Sequence, residues 1–396
     1  MPATATVRAK ETVNSRQTVL VLQGGGALGA YQGGVYQQLA EHDITPDWVV
    51  GTSIGAINGA IIAGNPPAKR LARLQEFWQL VSRDDAPSSW NDNPFTAWLQ
   101  PWLNMGAAFD VVSRGIPGFF VPRTAGIPNL TQNVATASAS FYDTSPLHAT
   151  LERLIDFNYL NEGHVRCTVC AVQVDNGLLT FFDNKHKQGD RRKKDTLTAR
   201  HIMASGALPP GFAPVVIDGK AYWDGGVYSN TPVDVVMDDA ERRDTLCFMV
   251  DLWDATQAEP RSINAAMARQ KHIQYASRTS EHLQDHRTMQ DMRRAIQLLA
   301  QRLPAKDRAA PQVRRLTELG CASTINVVRL VLKSGANEDY MEDIDFSRNR
   351  LTARWQAGQK DVARALRHKS WLAPIESHVG MVIHELEQEG KSARRR

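Results

Sequence analysis

Ser53 stands within Gly51-Thr52-Ser53-Ile54-Gly55, a G-x-S-x-G run that follows the apolar Trp48-Val49-Val50 and opens an uncharged stretch. A serine on such a strand-to-helix turn is presented outward, with the partial positive charge of a helix N-terminus behind it. The turn is too tight for side chains two residues to either side, which accounts for Gly51 and Gly55. A second run, Gly24-Gly25-Gly26-Ala27-Leu28-Gly29, also follows an apolar segment, Thr18–Leu22. Consecutive glycines let backbone N–H groups converge on one point, so Gly24, Gly25 and Gly26 are candidates for an oxyanion hole. A serine hydroxyl also needs a base. None of the 11 histidines sits in a recognisable triad context. Asp224 is better placed, ending an apolar segment and followed by Gly225 and Gly226, which permit a turn. Together the three runs read as a serine hydrolase whose base is Asp rather than His.

Other chemistries fit less well. Gly24–Gly29 also matches the G-x-G-x-x-G dinucleotide fingerprint, which wants an acidic residue ending the second strand. Here that strand runs straight into Gly51-Thr52-Ser53, which disfavours nucleotide binding. His201, ahead of Met203-Ala204-Ser205-Gly206, reads as a structural helix residue. Cys167 and Cys170 form C-x-x-C, which invites a zinc or redox reading. Val165–Val174 alternates as a strand does, however, so the two thiols point to opposite faces. With Cys247 and Cys321 they read as buried structural thiols, and no metal site is expected.

Elements must position these residues. Thr18–Leu22 and Trp48–Val50 predict buried strands, each followed by a loop and a helix, over about Ala27–Glu41 and Ile54–Gly64. Strand–loop–helix repeated in this way predicts a parallel α/β sheet. Gly33 and Gly34 inside the first helix cost roughly 1 kcal/mol each relative to Ala, which suggests close packing against the sheet. Asp175-Asn176-Gly177 marks a hairpin between Val165–Val174 and Leu178–Phe182, and Asp218-Gly219 marks one between Val215–Ile217 and Lys220–Trp223. A helix is expected over Leu197–Ser205, another over Pro232–Ala240, and a buried strand over Thr245–Leu252. Residues 84–130 crowd Trp90, Phe95, Trp98, Trp102, Phe109, Phe119 and Phe120 among prolines including Pro94, Pro101, Pro117, Pro122 and Pro128. Long loops are usually functional or disordered, and the aromatics argue against disorder. The segment reads equally as a cap over a lipid-accepting cleft or as a packed excursion.

From about Ala255 the character shifts. Residues 261–302 carry helical spacing, Thr324–Leu332 is an apolar strand, and Ser347–Leu366 and Pro374–Glu389 read as further helices. The predicted organisation is a tail over 1–16, a catalytic domain over 17–254, a mainly helical extension over 255–390 and a basic tail over 391–396. Residues 1–16 lack the apolar core of a signal peptide. The uncharged stretches Thr18–Ala40 and Trp48–Ala68 are interrupted by glycines and polar residues, which argues against membrane spans. A formal net charge of +4 fits, without demanding, attraction to an anionic membrane surface. Four cysteines without a disulfide framework suggest a reducing cytoplasm.

The glycine run Gly24–Gly29, the G-x-S-x-G run around Ser53 and Asp224-Gly225-Gly226 occur in the order of the patatin-like phospholipase family, which residues 17–250 resemble. Ala204-Ser205-Gly206-Ala207-Leu208-Pro209-Pro210 looks like the family too. Phe346-Ser347-Arg348 and Trp355-Gln356-Ala357-Gly358 resemble the C-terminal extension of one bacterial subgroup. The resemblance implies a three-layer α/β/α fold with a mainly parallel central sheet. It implies acyl-ester hydrolysis by a Ser–Asp dyad, without metal or nucleotide cofactor. By that carry-over Ser53 is the nucleophile, Asp224 the general base, and Gly24–Gly26 the oxyanion hole. Gly29, Gly51, Gly55, Gly225 and Gly226 support the motifs. The expected partner is a lipid or other acyl ester, with peripheral contact at the inner membrane surface and no nucleic acid. Many family members carry Arg where this chain has Leu28, which puts phospholipid specificity in doubt and leaves a neutral lipid, a lysophospholipid, a short acyl ester or a storage polyester fragment open. A catalytically silent scaffold, or acyl transfer to an acceptor other than water, would also keep the fold.

Overall fold

The computed structural model describes residues 16–84, 113–123, 133–185, 194–239, 241–333 and 340–385. The tail over 1–16 apart from Arg16, the basic tail over 391–396 and the run Arg191-Arg192-Lys193 lie outside the described residues. So does most of the aromatic stretch, including Trp90, Phe95, Trp98, Trp102 and Phe109.

One sheet organises the chain. Its strands are β1 (Gln17–Leu22), β2 (Trp48–Thr52), β3 (Arg166–Gln173), β4 (Leu179–Asp183), β5 (Val215–Ile217), β6 (Lys220–Asp224), β7 (Thr245–Asp251), β8 (Ile325–Val331) and β9 (Met381–Glu385). They run in the order β9-β8-β7-β1-β2-β3-β6-β5, with β4 also paired to β3. Every pairing from β9 across to β3 is parallel, and the hairpin strands β4, β5 and β6 are antiparallel. Parallel strands need crossovers, and the first two are α1 (Ala30–Glu41) and α2 (Ile54–Ala63), the latter followed by α3 (Pro67–Leu80). Side chains alternate across the sheet. Leu20, Leu22 and Val49 pack with the apolar residues of α1 and α2. Val19, Val21, Trp48 and Val50 pack on the other face with Val233, Val236 and Leu283. Both faces are covered, which is why these strands read as unbroken apolar runs. The result is the expected three-layer α/β/α fold with a mainly parallel sheet.

Three further helices matter below: α4 (Ala199–Ser205), α5 (Ile263–Arg302) and α6 (Arg348–His368). Gly33 and Gly34 do not meet the sheet. A side chain at Gly33 would strike the Trp355 ring and one at Gly34 the Trp355 carbonyl, while Gly358 lies against the Tyr31 carbonyl. The glycines therefore let α1 and α6 approach backbone to backbone. Of the helix expected over Pro374–Glu389, the described part holds strand β9 instead, with Met381 paired to Ile325 and Ile383 to Val327. A short β-branched run next to an open apolar edge is more stable as a strand, whatever its helical spacing. The C-terminal region thus supplies two strands of the central sheet besides its helices.

Candidate active site

Strand register brings Ser53 and Asp224 together. On β3, Cys170 pairs with Phe181 of β4 on one edge and with Thr52 of β2 on the other. Its neighbour Ala171 pairs with Thr180 of β4 and with Asp224 of β6. β2 and β6 therefore lie end to end along the edge of β3 that β4 leaves open. Ser53 immediately follows Thr52, so serine and aspartate meet where the parallel and antiparallel parts of the sheet join.

Ser53 has φ +56° and ψ −124°, a conformation costing a non-glycine residue on the order of 1–3 kcal/mol. Its surroundings hold it there. A side chain at Gly51 would strike the Gly55 carbonyl, and one at Gly55 the Leu22 carbonyl. The Ser53 N–H donates to Ser205 Oγ at 2.9 Å, and that hydroxyl donates to the Cys170 carbonyl at 2.6 Å. Ser205 thus clamps the turn to β3 from the end of α4. Asp224 is buried, its Oδ1 accepts from the Gly226 N–H at 2.7 Å, and its carboxylate lies beside the Ser53 side chain. Burial pushes the Asp224 carboxyl up to about 7, against the lowering pull of the Gly226 N–H and the Ser53 side chain.

The glycine loop is tied from several sides. Gln23 is fully buried, and its side-chain carbonyl accepts from the N–H groups of Leu252 and Trp253. Asn230 Nδ2 and Trp253 Nε1 both donate to the Gly24 carbonyl, at 2.9 and 2.8 Å. One expectation needs correction here. The Gly24 N–H donates to the Asn230 carbonyl at 3.2 Å, because the loop pairs with the segment following Asp224. Gly25 and Gly26 remain as candidate oxyanion donors, since their N–H groups have no acceptor among the described residues. Gly26 adopts φ +54°, and a side chain there would also strike the Asp343 carbonyl.

Gly24, Gly25, Gly26, Ser53 and Asp224 line one cavity of about 300 Å³. Ile57, Phe119, Phe120, Phe212, Ile344 and Phe346 give it an apolar body. The rings of Phe119 and Phe120 interlock, with centroids 5.6 Å apart, and Phe119 lies 6.1 Å from Phe346. These two phenylalanines are the described part of the aromatic stretch. Gly226 also reaches the cavity, whereas Gly29, Gly51, Gly55 and Gly225 stand behind it. Gly29 packs on Ile54, and Gly225 on the Cys170 carbonyl. Leu28 is buried in the core and does not reach the cavity.

Asn230, Trp253, Tyr275 and Asp343 also line the cavity, and none lies in a motif that spacing could flag. Asp343 pairs with Lys271 at 2.5 Å; burial raises its carboxyl, with Lys271 opposing. His201 stays outside. It completes a capping box with Thr198 at the start of α4 and sets its ring edge against Phe182. Cys167 and Cys170 are buried free thiols whose ionisation burial pushes up. Among the described residues, no group of three or more His, Cys, Asp or Glu side chains is arranged to hold a metal ion. No helix among them is long and apolar enough to cross a membrane.

Residues 20–237 match a family described as patatin-like phospholipase, and residues 273–378 match a second described as patatin phospholipase. Over 103 residues the chain is 34% identical to a patatin-like phospholipase domain-containing protein of Pyricularia oryzae, covering 26% of this chain and 12% of that protein. A protein of the same description from Neurospora crassa is 33% identical over 101 residues, 25% of this chain and 11% of its own length. The alignments thus span only a small part of these relatives. Among solved structures, VipD from Legionella pneumophila has a TM-score of 0.33 at 14% identity, covering 88% of this chain and 67% of its own. Human GIVD cytosolic phospholipase A2 has a TM-score of 0.32 at 10% identity, covering 59% and 43%. Since the first match takes in more than half of its length, the chain belongs to the patatin-like phospholipase family.

Proposed function

We propose that the protein is a serine acyl-ester hydrolase acting on lipids, with Ser53 as nucleophile and Asp224 as general base. The observation that carries this reading is the placing of Ser53 beside a buried carboxylate raised to about 7, on the wall of an apolar cavity. A base poised near neutrality can both take and return a proton there.

The steps balance without an outside reagent other than water. Asp224 takes the Ser53 proton as Oγ bonds to the acyl carbon. The tetrahedral oxyanion is stabilised by the N–H groups of Gly25 and Gly26, each such donor being worth about 3 kcal/mol. The carbon–oxygen bond to the alcohol then breaks, and the leaving oxygen takes the proton from Asp224. Water next gives its proton to Asp224 and its oxygen to the acyl carbon. Ser53 leaves and recovers the proton. The acyl chain extends among Phe119, Phe120, Phe212 and Phe346. Family membership supports a lipid ester as the substrate class, and peripheral contact at a membrane surface fits that substrate.

Release of p-nitrophenol from short and long acyl esters tests the reading. Wild type is expected to turn both over and Ser53→Ala neither. Turnover that survives in Ser53→Ala would remove the nucleophile assignment. A folded wild type inert toward every chain length would favour the silent scaffold.

A further inference from the structure

The glycine loop that carries the candidate oxyanion donors rests on two supports. Gly25 lies against Leu252 and Trp253, just past the end of β7, so that a side chain there would strike the Leu252 side chain and crowd the Trp253 indole. Gly26 lies against the short turn Glu342–Ile344, where the Asp343 carbonyl occupies the space a side chain would need. The peptide group joining Gly25 to Gly26, which carries the Gly26 N–H, is therefore flanked by Trp253 and by Asp343. Orientation is what makes such a donor effective, since it must point at the oxygen where charge develops.

Both supports meet at one side chain of α5. Lys271 Nζ pairs with Asp343 Oδ1 at 2.5 Å and donates to the Tyr340 carbonyl at 3.2 Å. The same ammonium stands 4.7 Å from the centre of the Tyr340 ring and 5.7 Å from that of Trp253. An ammonium over an aromatic face is attracted to it. The Trp253 indole in turn donates to the Gly24 carbonyl. Lys271 thus engages the residue behind Gly25 and the residue behind Gly26, which lie far apart in the chain.

Neighbouring residues hold the other end of the turn. The Nδ1 of His272 accepts from the Asp254 N–H at 3.2 Å, which leaves its Nε2–H to donate to Glu342 Oε1 at 2.5 Å. Arg354 of α6 donates to the Glu342 and Asp345 carbonyls, at 2.8 and 3.0 Å. Loss of Lys271 would therefore loosen the turn at Asp343 without releasing it. A half-buried carboxylate deprived of its counter-charge takes up a proton or turns towards water, and either change frees Asp343 to shift against Gly26.

We propose that Lys271 is a positioning residue for the oxyanion hole: by holding Trp253 and Asp343 at once, it fixes the Gly25–Gly26 peptide in the direction that the tetrahedral oxyanion requires. The proposal rests on the acyl-ester hydrolase reading and gives Lys271 no contact with substrate. The oxyanion forms only as the carbonyl is attacked, so loss of Lys271 should cost turnover and spare substrate binding.

Hydrolysis of p-nitrophenyl hexanoate by wild type and Lys271→Met tests this, at a temperature where circular dichroism shows both folded. Both kcat and kcat/KM should fall about tenfold in the variant, the scale of a donor misplaced by a fraction of an ångström, with KM within about twofold. Two inhibitors separate the direction of the hole from a general loosening of the cavity. Octyl trifluoromethyl ketone, which adds to Ser53 as an oxyanion, should bind the variant more weakly by the same factor of about ten. Decanol, which fills the apolar cavity without forming an oxyanion, should inhibit both proteins equally. Should Lys271→Met not fold, Lys271→Gln, which keeps a hydrogen-bond donor without the charge, is measured in its place. If neither folds, Lys271 serves the fold at large and the specific role is overturned. An unchanged kcat, or equal weakening of both inhibitors, also overturns it while leaving the hydrolase standing. A wild type that neither hydrolyses the ester nor binds the ketone overturns the hydrolase reading, and this proposal with it.

Discussion

Asp224 carries a cost that its position makes unavoidable. Burial raises its carboxyl from 3.8 to about 7, so between those values the folded protein binds a proton that the unfolded chain releases. Its contribution to stability is therefore greatest below the unfolded value and is lost as pH rises to about 7. Asp224→Asn should raise the Tm, and the gain should grow from acidic to neutral pH, as thermal scans at several pH values would reveal. A constant gain would place the carboxyl at an ordinary value. Catalysis has the opposite sign, since the base acts only when ionised. The kcat/KM of wild type should climb with pH through about 7 and level off above it. Asp224→Asn should lose on the order of 10²–10⁴-fold, and retention of most activity would show that another group is the base.

At the level of elements, the site depends on two close approaches. The turn at Ser53 is held by Gly51 and Gly55 and by the Ser205 clamp to β3. The other approach joins α1 to α6. A Cβ at Gly34 would lie 1.8 Å from the Trp355 carbonyl oxygen, a backbone atom that cannot rotate aside. Gly34→Ala should destabilise the protein by at least about 1–3 kcal/mol, through overpacking rather than through loss of helix propensity. Chemical denaturation would measure it, and an unchanged or higher stability would mean that the two helices can separate at little cost. The Tyr31 hydroxyl donates to Asp361 across the same contact, at 2.8 Å, so a shift of α6 would also break a half-buried hydrogen bond.

Across the whole molecule the C-terminal region is built into the central sheet. β7 pairs along its full length with β8, and β8 in turn with β9. The same region brings Tyr275, Asp343, Ile344 and Phe346 to the cavity wall. A chain cut after Asp254 would expose the apolar β7 edge and strip one side of the cavity. Such edges pair with other chains, so the truncated protein should aggregate, which solubility and light scattering would reveal. A soluble, monomeric and active truncation would instead support an independently folding unit over 17–254.

Local chemistry explains what was legible beforehand. The strands before Ser53 and the glycine loop, the helices after them and both hairpin turns follow from apolar periodicity and turn residues, which act over a few neighbours. Gly51 and Gly55 signalled the turn because the steric demand is met within five residues. Side chains that meet only through distant parts of the chain left no such signal. Gln23, Asn230, Trp253 and Tyr275 acquire their places through long-range pairing. The identity of β9 depended on an open edge that folding itself creates, and the engagement of the Gly24 N–H on a carbonyl more than two hundred residues away. The sequence by itself determined the α/β architecture and the residue types that can do acyl chemistry. Tertiary structure alone decided which of them share a cavity, because register and packing couple residues that no local pattern links.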